Sequence, residues 1–419
     1  MIKTLKEEMR EKLLTQHSSL LNKEAMDKTE LDNVLKNILN DILYHKHQNI
    51  TEQEKASAIK EMVDELIGFG PIEALMKDPD ITEIMINGAQ KVYIEKNGKK
   101  TLSSLKFDDE QQLRCLIYKL LAPTRRRVDE LSPYVDVSLK DGSRVNIIIP
   151  PLAIDGASIT IRKFSDNIKT IDDLLRLNAL DKRMADFLIA LVKAKMNILF
   201  SGATGAGKTT TLAVLSAYID NDERIVTIED TAELRLKQEH VVRLESRPPN
   251  IEGKGEVAIR DLFKNSLRMR PGRIILGEIR GAEALDMLQA MCSGHTGSLA
   301  VLHANSPKEV IYRLETMILT SGLPISLDII HRQIASALHI IVHQEQLSDG
   351  TRKITNITQV NGLKDGGVVL EDIFNYESSD VGEDGKLQGK FKATGVVPVF
   401  FPLFAKKGIS LSKELFNKD

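Results

Sequence analysis

The chain has 419 residues, 42% hydrophobic and 28% charged, a globular profile that is long for one compact core. Its 57 Lys and Arg balance 59 Asp and Glu, which argues against a protein that coats nucleic acid. No apolar run nears the ~20 residues of a membrane span, the N-terminus lacks a signal-peptide core, and there are only two distant cysteines, Cys115 and Cys292, read as packing residues. Secreted, membrane-spanning and metal-stapled classes are disfavoured, and a cytosolic protein is expected.

Residues 1–67 contain no proline or glycine and repeat apolar side chains at helical spacing. Leu31, Val34, Leu35, Ile38, Leu39 and Ile42 form one stripe; Ala56, Ile59, Met62, Val63 and Leu66 form another. Thr51 and Glu54 have capping-box spacing. A helical bundle is expected, serving either as support or for docking. Residues 68–164 read as a mixed α+β domain. It has hairpins around Asn97-Gly98 and Asp141-Gly142 and an alternating run from Ala157 to Phe164. The polar stretch from Ser165 opens a linker expected over 165–175. Over 176–345, strands at Asn197 to Phe200, Arg224 to Glu229, Arg273 to Glu278 and Ser298 to His303 alternate with helical pattern. That is the signature of a doubly wound parallel sheet. Residues 346–419 read as a β-rich appendage.

Gly202-Ala203-Thr204-Gly205-Ala206-Gly207-Lys208-Thr209, followed by Thr210, fits G-x-x-x-x-G-K-[ST] between a strand and a helix. Glycines there let successive amides cradle phosphates at a helix N-terminus. Lys208 is suited to the β- and γ-phosphates of ATP, and the Thr209 hydroxyl to Mg²⁺. Ile274-Ile275-Leu276-Gly277-Glu278 is an apolar strand running into a carboxylate, and Ile225 to Ile228 runs into Glu229-Asp230. Such acids can hold Mg²⁺ or orient water beside the loop; singly they are also ordinary strand-end charges. His303 ends a strand at the same sheet edge and His295 sits in a Gly-flanked turn; a structural role stays open for both. Arg260, Lys264, Arg268, Arg270, Arg273 and Arg280 form a basic group that fits a solvated helix face, a nucleic-acid contact or arginine fingers. The chain has no tryptophan for base stacking.

Further pieces in order carry a resemblance: Val128-Asp129-Glu130-Leu131-Ser132-Pro133, Asp141 to Asn146, Ile159 to Phe164, Arg247 to Glu256, Leu267-Arg268-Met269-Arg270-Pro271, Gly277-Glu278-Ile279-Arg280-Gly281, Gly294 to Ser298 and Leu302 to Pro307. With them the chain resembles the type II/type IV secretion ATPase superfamily, and within it the CpaF/TadA family of Flp (tight-adherence) pilus assembly ATPases. The resemblance covers residue 68 to the C-terminal region. It implies an α/β fold: a RecA-like P-loop ATPase domain with a parallel-sheet core, preceded by a mixed α+β (PAS-like) domain and the helical bundle.

It also implies a cytosolic homo-hexamer that docks on an inner-membrane platform protein at the inner face of the membrane, with ATP and Mg²⁺ as cofactors and no nucleic-acid partner. A nucleic-acid translocase or a conjugative or type IV secretion motor on the same core is the alternative. By the resemblance Glu229 and Asp230 are acids of the Asp box, Asp230 and Glu278 face the metal, Glu278 is the catalytic glutamate and His303 senses the γ-phosphate. Arg144 and Arg162 are expected to complete the charge on the transferred phosphoryl group; for Arg162, pairing with Asp166 is the alternative. Four positions depart from the pattern: Gly272 stands where an acid is expected, Cys292-Ser293 replaces Asn-Thr, and Ser138 stands where arginine is common.

Overall fold

Apolar side chains at helical spacing draw α1 (Ile2–Gln16), α2 (Lys28–Lys46) and α3 (Glu52–Leu66) around one cluster that includes Met9, Leu13, Leu35, Leu39, Met62 and Val63. The capping box forms: the Thr51 hydroxyl accepts from Glu54 N–H at 3.2 Å, and the Glu54 carboxylate from Thr51 N–H at 2.8 Å. Ala56 faces solvent and Ala58 is buried instead. The structure, a computed structural model, describes residues 2–17, 28–46, 50–96, 98–124, 126–164, 168–249, 253–381 and 387–419. They divide into two units, Met1–Ser165 and Asp166–Asp419.

In the first unit α4 (Glu73–Lys77) leads into β1 (Ile81–Asn87), β2 (Lys91–Lys96) and β3 (Lys99–Leu102). After α5 (Glu110–Leu121) come β4 (Tyr134–Ser138), β5 (Arg144–Ile148) and β6 (Ser158–Arg162). They form an antiparallel sheet ordered β3-β2-β1-β6-β5-β4. Its alternating inward residues, Ile84, Ile86, Val145, Ile147, Ile159 and Ile161, pack with Leu113, Leu116, Ile117 and Leu120 of α5. Gly98 and Gly142 take the positive φ (73° and 95°) of the two expected hairpin turns. Asn97 itself lies outside the described residues, as do 165–167 of the expected linker and 250–252 of the Arg247 to Glu256 motif.

The second unit opens with α6 (Ile171–Arg176), which takes up the second half of the range expected as linker and is capped by a capping box of Thr170 and Asp173. α7 (Lys182–Lys193), β7 (Ile198–Gly202), α8 (Lys208–Ser216), β8 (Ile225–Glu229), β9 (Val241–Glu245), α9 (Ile259–Ser266) and β10 (Arg273–Leu276) follow. Then come α10 (Glu283–Cys292), β11 (Leu299–His303), α11 (Pro307–Leu319), α12 (Leu327–Ala337) and β12 (Ile340–Gln346). β12-β7-β11-β10-β8-β9 are parallel neighbours, with apolar clusters on both faces, the arrangement of a RecA-like α/β core. β13 (Arg352–Lys364), β14 (Gly367–Val381) and β15 (Leu387–Ala393) continue the same sheet antiparallel. The segment read as an appendage thus hydrogen-bonds into the core sheet.

Among the described residues no helix is long and apolar enough to cross a membrane. Cys115 and Cys292 are exposed, contrary to the packing role read from the sequence.

Candidate active site

β7 is buried along its length because strands flank it on both sides and helices cover both faces, so its end at Gly202 is a fixed point. From there the chain turns through Ala203, Thr204, Gly205, Ala206 and Gly207 into α8, which begins at Lys208. Ala203 and Thr204 are exposed, Ala206 is buried, and Thr209 and Thr210 are half-buried on the first turn of α8. The Lys208 ammonium donates to the Ala203 carbonyl at 2.7 Å and to His303 Nδ1 at 3.3 Å.

β11 lies between β7 and β10, with His303 level with Gly202. A lysine ammonium only donates, so His303 Nδ1 accepts and its proton sits on Nε2, 3.3 Å from Glu278 Oε1. Burial, then the Lys208 charge, push the His303 pKa down, favouring that neutral tautomer. Arg280 closes the row, reaching Glu278 Oε2 at 2.6 Å and Asp230 Oδ2 at 3.0 Å. Burial works to raise the Glu278 carboxyl, but the Arg280 hydrogen bond and charge, with His303 and Lys208, outweigh it and hold the group below its usual range. Ser246 donates to Asp230 Oδ1 at 3.0 Å. Lys208, His303, Glu278, Arg280 and Asp230 therefore form one continuous polar row along the C-terminal ends of β7, β11, β10 and β8, where open α/β sheets bind ligands.

Glu229 stands apart. Its buried carboxylate accepts from the amides of Glu233 and Leu234, both at 3.0 Å, and burial raises its pKa to about 7. Arg144 and Arg162 belong to the first unit, on adjacent strands as direct cross-strand partners. His295 precedes β11, at the sheet edge opposite His303.

Of the basic group, Arg280 enters the row. Arg273 is buried in a fork to Glu223, with both bonds at 3.0 Å, so it is neither a solvated face nor a finger. Arg260 pairs with Asp286 at 2.6 Å. By sequence alone Arg280 has no role distinct from its basic neighbours; its place two residues after the strand-end Glu278 is the available signal.

The loop fits a polyphosphate: a helix N-terminus offers amide donors, and the Lys208 ammonium rests on the Ala203 carbonyl, an acceptor that a phosphate oxygen can replace. Glu278 and Asp230, in the polar row that begins at Lys208, suit Mg²⁺, which binds through one or two acids plus phosphates and water. Among the described residues no group of three or more His, Cys, Asp or Glu is placed to hold a metal ion.

The type II/IV secretion system protein family matches residues 65–369. A Mycobacterium tuberculosis protein named for conjugal transfer is 34% identical over 312 residues, covering 73% of this chain and 88% of its own. The type IV secretion system protein VirB11 of Bartonella quintana is 30% identical over 326 residues, 68% of this chain and 90% of its own. Among solved structures, the VirB11 ATPase of Brucella suis in complex with sulphate is 28% identical, covers 69% of this chain and 95% of that one, and has a TM-score of 0.38. By the extent of the family match, which takes in both the antiparallel domain and the phosphate loop, the chain belongs to the type II/IV secretion system protein family.

Proposed function

We propose that the chain is an ATP-hydrolysing motor subunit, working as a homo-hexamer on an inner-membrane platform protein to drive Flp/Tad-type pilus assembly or related export. The observation that carries the reading is the row from Lys208 to Asp230. Lys208 and the loop amides of Gly202 to Thr210 bind the phosphates. Thr209 and Asp230, with Glu278, would hold Mg²⁺, which supplies charge neutralisation between the phosphates when bound. Glu278 orients the attacking water and takes its proton. His303, hydrogen-bonded to Lys208 and with Nε2 3.3 Å from Glu278, relays the presence of the terminal phosphate to the base. Glu229 sets the loop after β8, and Arg144 and Arg162 supply positive charge to a neighbouring subunit's nucleotide.

Two variants test this. Lys208→Ala is expected to lose nucleotide binding. Glu278→Gln is expected to bind normally while turnover falls by about 10²-fold or more, because an amide takes no proton. Full turnover in Glu278→Gln ends the role assigned to it, and full turnover in both ends the enzymatic reading.

The relatives named for conjugal transfer and type IV secretion favour a second reading, a motor of such a system. Turnover stimulated several-fold by DNA would select a nucleic-acid translocase over the pilus motor.

A further inference from the structure

The hairpin of β12 and β13 grips the phosphate loop from outside. Gln344 of β12 runs alongside β7 so closely that a Cβ on Gly202 would collide with its carbonyl oxygen. Its side-chain oxygen accepts from Thr211 of α8 at 3.0 Å, and its amide nitrogen would lie 2.9 Å from a Cβ on Gly207. Arg352, the first residue of β13, donates from Nε to the Gly205 carbonyl at 2.7 Å. The turn between the strands is tied in its own right. Asp349 accepts from the Thr351 amide and hydroxyl at 2.8 and 2.7 Å and from the Leu387 amide of β15 at 3.0 Å.

The Arg352 bond acts on the loop through peptide geometry. In a trans peptide the carbonyl and the following N–H point in opposite directions. With the Gly205 carbonyl held toward Arg352, the Ala206 N–H points back into the loop. There it donates to the Ala203 carbonyl at 3.3 Å, the same oxygen that receives Lys208 at 2.7 Å. Two donors that a phosphate oxygen uses are thus already converged. Gly205, at φ 80°, has no side chain to hold this peptide, so its orientation depends on an outside contact.

We propose that Arg352 is a positioning residue for nucleotide: it fixes the Gly205–Ala206 peptide so that the Ala206 amide faces the phosphates, and through it the C-terminal strands set nucleotide affinity. The inference rests on the ATP-binding reading of the loop.

Glutamine offers a discriminating substitution. Its side-chain nitrogen lies the same number of bonds from the backbone as arginine Nε, so Arg352→Gln keeps the donor and removes the charge, while Arg352→Ala removes both. The full-length chain is titrated with a fluorescent ADP analogue and Mg²⁺, and steady-state ATP turnover is measured, with the nucleotide-free Tm of each variant as the check on folding. Arg332→Ala, which loses only an ion pair with Asp328 on α12, is the control.

Arg352→Ala is expected to weaken ADP binding and raise the KM for ATP about tenfold, with kcat within about twofold. Arg352→Gln is expected to stay within about threefold of the wild type. Unchanged affinity in Arg352→Ala overturns the proposal. So does a glutamine variant as weak as alanine, since the charge would then be acting on nucleotide directly. If Arg352→Ala does not fold, the glutamine variant decides. A wild-type chain that binds no nucleotide overturns the ATP reading itself, a result distinguishable from loss in the variants alone.

Discussion

The Glu229 carboxyl titrates near neutrality because β8 delivers it to a buried position; burial outweighs the Leu234 and Glu233 amides that favour its charge. The folded pKa of about 7 lies above the ordinary 4.5, so the fold favours the protonated form. Its stability contribution is full below about pH 4.5 and is lost as pH rises through about 7, a change of about 3 kcal/mol. Glu229→Gln imitates the protonated acid and can still accept from both amides. Its unfolding free energy is expected to gain on the wild type as pH rises from about 4.5 to 8. Urea unfolding curves that keep a constant gap across that range would disprove the burial argument.

Gly272 shows why a departure from a family pattern can be structural. Its amide donates to the Arg224 carbonyl at 2.8 Å, and a Cβ there would lie 3.2 Å from Arg224 N. The two backbones are close enough that a side chain there would need its neighbour to shift by a few tenths of an ångström.

On α12, His331 joins three elements. Nε2 lies 2.7 Å from a Glu315 carboxylate oxygen of α11, and Nδ1 lies 2.6 Å from the Gly366 carbonyl, between β13 and β14. Both partners only accept, so both ring nitrogens carry protons and the ring is an imidazolium. Burial lowers its pKa, but the Gly366 bond and the Glu315 bond and charge, with Asp328 nearby, leave it raised above 6.5. Stability from this contact is full below about pH 6.5 and is lost as pH climbs past the raised value. His331→Gln should therefore cost thermal stability at pH 6 and cost less at pH 9, measured by Tm against the wild type. An equal cost at both pH values would refute the imidazolium.

At this scale the sequence was readable wherever periodicity or turn chemistry was strong: the capping box at Thr51, the hairpin turns at Gly98 and Gly142, and four buried strands of the parallel sheet. β9 was missed because Val241–Glu245 is a half-exposed edge strand with charges at Arg243 and Glu245 and no apolar run. The union of β13–β15 with the core was missed because it runs through β12, the hairpin partner of β13, whose own place beside the distant β7 leaves no local pattern. The same limit hid Arg352, whose partner Gly205 lies on another element. The loop was legible because its positive-φ backbone calls for glycines, and the strand-end acids because apolar strands run straight into charge.

At the scale of the whole chain, Arg144 and Arg162 are cross-strand partners on β5 and β6, with Glu83 of β1 opposite Arg162 on its other side. The proposed role on a neighbour's nucleotide asks these guanidiniums to meet phosphate charge. Arg162→Ala and Lys208→Ala subunits are each expected to be inactive alone. Mixed hexamers should regain a fraction of turnover, since some interfaces pair an intact arginine with an intact loop. Normal hydrolysis by Arg162→Ala alone would end this role.

The position of β7 has a consequence for synthesis. Its two edges are filled by β11, from Leu299, and β12, from Ile340, both far downstream. A chain leaving the ribosome therefore carries its phosphate loop for a long interval beside a strand with no partners. The Arg352 brace arrives later still. Non-local pairing of this kind is slow, and unpaired strand edges are prone to association. By the proposed brace, nucleotide is expected to bind at full affinity only after residue 352 has emerged. The antiparallel domain, complete by Arg162, has every strand in place long before, so folding is expected to proceed from the N-terminal unit toward the motor.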